Sequence, residues 1–287
     1  GMKIDVTGKY DATTHANGTV INKYLAGGGL YALQLIAGGT FIHNDGLVHV
    51  TGTGGYSIVI EGLSGSDVSG TDANALHDLK VTLNSISNFV KLDPVPSSNG
   101  DTMVITGDLD IVEGKAYGNS TSDNLTVNGN VIVRDGAQLS ESTSTSGAMT
   151  FGSLEIQSGG TYIATSGTTT LNGGGANSDS NTPLYGTGTF THNNGTLHFA
   201  SGAQYRIPVG GTFYNVTTDV LLYGYTTTLL PQPTMPDGTT AADSISIEGT
   251  FRINNASVYP YSWDGLYIHN LIMNGKEIKE MKTSSKN

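Results

Sequence analysis

The chain has no cysteine. Thiol nucleophiles, disulfide staples and thiolate metal sites are therefore excluded, while the redox compartment is left open. Charge is scarce too, at 13% of 287 residues, roughly half the usual globular share. Basic charge is scarcer still, with 13 Lys and Arg against 24 Asp and Glu, a net of -11. Four of those bases (Lys276, Lys279, Lys282 and Lys286) sit in the last twelve positions, so the remainder is even more acidic. Such a body repels a phosphate backbone and excludes nucleic acid as the main ligand. No apolar run approaches the ~20 residues of a membrane-spanning helix, so no membrane span is expected.

What the chain has instead is glycine, at 40 residues, together with abundant Thr, Ser and Asn. Gly and Asn supply the positive φ that tight turns need, so the composition predicts many short strands and little helix. Apolar residues hold at 37% and fall in short alternating runs, enough to bury a core and to exclude disorder.

One unit recurs. Phe41 to Val50 reads FIHNDGLVHV, and Phe190 to Phe199 reads FTHNNGTLHF, 149 positions later. With Asp45-Gly46 as a two-residue turn, the unit is a hairpin with Phe41, His43, Val48 and Val50 on a core face. Ile42, Asn44, Leu47 and His49 share the other. His43 and His192 then close the core beside the turn, while His49 and His198 meet solvent. His43 and His49 lie on opposite faces and cannot share an ion within one unit, so no metal and no cofactor is expected. Replacing Gly46 or Gly195 by Val should break the turn, and His49→Ala and His198→Ala should be nearly silent.

Further matches follow in the same order. HDLKV (His77 to Val81) echoes YNVTT (Tyr214 to Thr218), VITGDLDIVEGKAY (Val104 to Tyr117) echoes SIEGTFRINNASVY (Ser246 to Tyr259), and DNLTVNG (Asp123 to Gly129) echoes HNLIMNG (His269 to Gly275). Their near-constant offset indicates tandem internal duplication. The expected organisation is a strand or cap segment over 1–37, a first half over 38–185, a second, shorter half over 186–275 with a C-terminal aromatic cap, and a Lys-rich tail over 276–287. Within each half, alternating Leu, Ile and Val recur between Asn-Gly, Asp-Gly and Gly-Gly corners about every twenty residues, the length of one solenoid coil. The predicted fold is all-β, a right-handed parallel β-helix or solenoid. Two β-sandwich domains are the alternative, because a two-residue hairpin is antiparallel; in a solenoid the repeated unit must be an excursion or a β-arc between coils.

GTFTHNNGTLHF (Gly188 to Phe199), DNLTVNGNVIV (Asp123 to Val133) and FGSLEIQSGG (Phe151 to Gly160) resemble the repeat units of β-solenoid phage virion and marine phage-borne surface proteins. The resemblance implies a tail fibre, spike or adhesin-like role, structural or receptor-binding, in a homotrimer alongside other virion proteins, and carries no catalytic motif. Gly1 ahead of Met2 reads as a tag-cleavage remnant, and the segment to Val20 has no apolar signal-peptide core. Localisation in a virion is the expectation, with the extracellular cell surface as the alternative.

Two constellations bear on chemistry. Asp108 and Asp110 lie two apart in GDLDIV and share a strand face, as the acid and base of a polysaccharide-cleaving or deacetylating β-helix enzyme would. Leu109 and Ile111 make the opposite face the core, so the carboxylates read more simply as a solvated side. SVYPYSWDGLY (Ser257 to Tyr267) groups Tyr259, Tyr261, Trp263 and Tyr267 with Asp264 and holds the single Trp. Flat rings beside a carboxylate suit a cell-surface glycan, and equally the cap of an open solenoid end. No catalytic residue is assigned. The expectation is a non-enzymatic virion component, with an enzyme or a bacterial adhesin as alternatives.

Overall fold

The structure is a computed structural model that describes residues 2–4, 9–11, 18–23, 31–35, 40–60, 75–93, 102–118, 124–140, 146–173, 182–200, 204–208, 211–219, 221–225, 244–254, 258–259 and 265–274. Every described element is a strand, and every strand pairing is parallel. That excludes paired sandwiches and makes the protein a parallel β-helix.

The chain passes through three stacks in turn. The first contains Leu47–Gly52, Asp78–Leu83, Leu109 to Ile111, Val131 to Val133, Leu154 to Ile156 and Leu184–Gly186. The second contains Gly55–Ile60, Phe89–Asp93, Lys115 to Tyr117, Ala137–Ser140, Thr161–Ile163 and Thr189–Thr191. The third contains Thr102–Ile105, Leu125 to Val127, Met149 to Phe151, Thr168–Leu171, Thr196–Phe199 and Asn215–Thr218, and continues through Phe251 to Leu271. Leu109, Val131 and Leu154 are stacked partners, one coil of about twenty residues apart.

Side-chain alternation explains the core. In Asp78–Leu83, Leu79, Val81 and Leu83 are fully buried, while Asp78, Lys80 and Thr82 are not. The same rhythm buries Leu109 and Ile111, then Val131 and Val133, so that each coil's aliphatics continue its neighbour's. Aromatics take over further along: Phe151, Tyr162, Phe190 and Phe213 form a chain of ring contacts with centroids 5.2–6.0 Å apart. Tyr162 is fully buried, and its hydroxyl is paired with Thr169 Oγ1 at 2.7 Å, so no polar atom is stranded there.

Coil-to-coil registration also has a polar component at the corner between the third and first stacks. Asp78 Oδ1 accepts the backbone N–H of Asp108 at 2.8 Å. Asp108 Oδ1 accepts the N–H of Asn130 at 2.6 Å, and Asn130 Oδ1 accepts the Ser153 hydroxyl at 2.6 Å. The ladder needs glycine ahead of each receiving residue. A Cβ on Gly129 would collide with Asp108 Oδ1 and come within 2.6 Å of the Gly107 carbonyl oxygen. The recurring Gly-Asp, Gly-Asn and Gly-Ser corners are thus sites of close backbone approach.

The repeated unit is not a hairpin. Thr40–Ile42 pairs with Lys9–Asp11, and Leu47–Gly52 pairs with Thr19–Lys23 and Asp78–Leu83, never with each other. The turn is centred on Asn44-Asp45, at φ 49° and 54°, and closed by the Gly46 N–H donating to the His43 carbonyl at 2.8 Å. Asn193-Asn194 repeats it, at φ 45° and 59°. The unit is the β-arc, and Asp45-Gly46 as turn centre is corrected by one residue. A hairpin would leave both strands off the stacks, whereas the arc hands the chain from one stack to the next. The inward assignment stands: Phe41, His43, Val48 and Val50 are all buried.

Most of the duplication is one stack out of step. The strand that follows the turn of the first copy, Leu47–Gly52, lies in the first stack, but Thr196–Phe199, which follows the turn of the second, lies in the third. Likewise Leu109 and Ile111 lie in the first stack and their counterparts Phe251 and Ile253 in the third. The last matched pair, Leu125 and Leu271, shares the third stack.

Candidate functional site

Asp108 and Asp110, weighed as an acid and base pair and read as a solvated strand face, are occupied by bonds to the next coil. Asp108 receives Asn130 through both its backbone N–H and its Nδ2, the latter at 3.2 Å. Asp110 is held by Arg134 from the next coil, Nε to Oδ1 at 2.6 Å and Nη2 to Oδ2 at 3.2 Å. That fork raises the Arg134 pKa, through the Asp110 hydrogen bond above all. Further along the outward face of the first stack, the Tyr185 hydroxyl donates to Glu155 Oε2 at 3.1 Å, and Gln157 Nε2 donates to Glu155 Oε1 at 3.0 Å. Burial, then the Glu155 charge, drives the Tyr185 phenol well above its ordinary pKa of 10.0. It stays protonated as a donor. These carboxylates hold coils together.

His49 and His198 face outward but are not simply solvated. His49 Nε2 pairs with Thr82 Oγ1 at 2.9 Å on the next coil. Burial first, and Lys80 second, lower its pKa below 6.5 against an upward pull from Asp110. His198 Nε2 contacts Asp219 Oδ2 at 2.9 Å, again one coil on.

A different grouping emerges at the first arc. His43, on the core side of the turn, stacks its ring on that of His77, with centroids 5.4 Å apart and planes at 16°. Asp45, two residues after His43, places Oδ1 3.6 Å from His43 Nδ1 and 3.8 Å from His77 Nδ1. Among the described residues this is the one group of three side chains with metal-ligating atoms in mutual reach. His43 Nδ1 accepts the Asp45 backbone N–H at 2.9 Å, so that nitrogen is deprotonated and the neutral ring carries its proton on Nε2. His77 Nδ1 is paired with Thr106 Oγ1 at 3.0 Å. Side-chain exposure grades outward, 3% for His43, 28% for His77 and 79% for Asp45. The cluster offers donor atoms for a divalent cation between two coils.

The expectation that His43 and His49 cannot share an ion holds, since one is core-facing and the other outward. What the sequence reading missed is His77, 34 residues on, and Asp45 as its neighbour. The signal lay in the echo of HDLKV by YNVTT: once each unit is given one coil, His77 falls over His43 as Tyr214 falls over His192.

The second arc verifies this. His192 Nδ1 accepts the Asn194 N–H at 3.0 Å, and its ring stacks on Tyr214 at 5.8 Å and 25°. Here Asn194 replaces Asp45 and Tyr214 replaces His77. His192 Nε2 lies 3.4 Å from Glu248 Oε2, and Phe190, Leu197 and Phe213 line a small recess beside the ring.

For the aromatic segment, the backbone of Tyr259 pairs with Tyr223 and that of Tyr267 with Ser246. Tyr261, Trp263 and Asp264, and the side chains of Tyr259 and Tyr267, lie outside the described residues, as does the Lys-rich tail. Comparison with family models, with curated proteins and with solved structures returned no match.

Proposed function

We propose that the chain is a non-enzymatic structural or receptor-binding component of a phage virion, a tail-fibre or spike-type β-solenoid that self-associates as a homotrimer. The observation that carries this reading is the use of Asp108 and Asp110. Both are spent on clamping the next coil, through Asn130 and Arg134, which favours a load-bearing stack over a hydrolytic face. A catalytic acid and base would have to be released from those bonds to move protons. The repeat phrases around Asn124, Phe151 and His192 supply the phage-surface likeness, and a cell-surface glycan is the receptor class that the Tyr259 to Tyr267 segment suits.

Two measurements test it together. Sedimentation velocity should give a trimer in dilute solution, and incubation with cell-surface polysaccharide should yield neither new reducing ends nor released acetate. A monomer would overturn the fibre reading. Product release would replace it by a polysaccharide-cleaving or deacetylating enzyme.

A further inference from the structure

We propose that the first arc is a binding site for a zinc-type divalent transition-metal ion, held by His43, Asp45 and His77, which cross-links two successive coils at their corner. Two of the three donor–donor edges are nearly in place, and all three donor atoms lie within 4.8 Å of one another. Four-coordinate zinc with ligands at about 2.0–2.1 Å has donor–donor edges of roughly 3.3 Å. The two distances from Asp45 Oδ1, 3.6 Å and 3.8 Å, need only a few tenths of an ångström of contraction. Two imidazoles and a carboxylate suit zinc, cobalt, nickel or copper rather than calcium or magnesium, which take oxygen shells. The exposed Asp45 opens the site to solvent, and the nearly buried His43 forms its floor.

Binding has a defined local cost. Coordination through Nδ1 displaces the Asp45 N–H from His43, whose ring proton already sits on Nε2, and breaks the His77 Nδ1 bond to Thr106 Oγ1, with the His77 ring proton moving from Nδ1 to Nε2. The freed N–H sits at an exposed turn, where water replaces the bond, and the Thr106 hydroxyl keeps its own bond to the Leu76 carbonyl at 3.3 Å. The two rings, 16° from parallel, must tilt toward each other.

The duplication supplies an independent observation. At the second arc the same turn, the same Nδ1 acceptor and the same ring stacking are built with Asn194 and Tyr214 in place of the carboxylate and the second imidazole. The architecture of the corner therefore requires neither Asp45 nor His77. Their presence at the first arc adds two metal donors that the fold itself does not call for.

The experiment is calorimetric titration of the metal-stripped full chain with zinc alone, supported by cobalt absorption spectra. One equivalent per chain is expected, with a zinc-dependent rise in unfolding temperature. H77Y and D45N, which import the second arc's own residues, should leave the metal-free chain folded, weaken zinc binding at least about tenfold and abolish the rise. H192A should leave binding unchanged. No stoichiometric binding, or binding indifferent to both variants, overturns the proposal. Should either variant fold poorly, the His43 and His77 imidazole nitrogen resonances of the unmodified chain decide it: zinc must shift both, and silence in either overturns it.

Discussion

Asp108 Oδ1 accepts two hydrogen bonds from Asn130 of the following coil, one from its backbone N–H at 2.6 Å and one from its side-chain Nδ2 at 3.2 Å. The contact couples a corner side chain to the registration of the next strand, and it exists only because Gly129 has no Cβ to block it.

Asp108→Ala should therefore lower stability by about 1–3 kcal/mol, because it strands the N–H of the buried Asn130. Asp108→Asn keeps an acceptor oxygen and should lose less. Gly129→Ala should cost about as much as the Ala variant or more, since its methyl meets the Gly107 backbone as well as the carboxylate. Thermal unfolding of the three variants checks the order; equal stability of Asp108→Ala and the parent chain would remove the ladder from the account.

At the second arc, the sensitive positions are backbone ones. Gly195 has no positive φ, but a Cβ there would strike the Thr165 carbonyl oxygen of the coil beneath. Gly195→Ala should destabilise by about 1–3 kcal/mol. Asn194→Gly should be tolerated, because glycine adopts the turn's φ of 59° freely. His198→Ala loses only a half-exposed contact to Asp219 and should fall within about 0.5 kcal/mol of the parent. Chemical denaturation resolves the three.

His49 should make stability depend on pH. The unfolded ring takes up its proton near 6.5, whereas the folded ring, buried and beside Lys80, does so at lower pH. Between those values the unfolded chain binds more protons. The contribution is intact above 6.5 and is lost as pH falls through the lower folded value. His49→Gln should flatten the decline in unfolding temperature between about pH 8 and pH 5. An unchanged slope would show that the ring titrates alike in both states.

Much of the fold was legible because strand period and turn chemistry are local. Leu79, Val81, Leu109 and Ile111 declare their inward face by alternation alone, and the Gly-Asp and Asn-Gly corners mark where each side ends. The hairpin reading of FIHNDGLVHV failed for a physical reason. Asn, Asp and Gly all tolerate positive φ, so composition does not say which two residues turn, and a turn alone does not say whether its arms pair with each other or with neighbouring coils.

The candidate site was less legible. His43 and His77 are 34 residues apart, and their contact depends on the length of the intervening coil. The same holds for Asp110 and Arg134, whose bond spans one turn of the solenoid.

By itself, then, the sequence determined the strand content, the inward and outward faces, the duplication and the absence of thiol chemistry. The tertiary structure alone decided which residues stack, that most of the second copy sits one stack out of step, and that Asp45 lies within reach of two histidines. All three stacks present the same alternating aliphatics to one core, so burial is satisfied by more than one register; only the closed coils, with their polar ladder and close glycine contacts, select one.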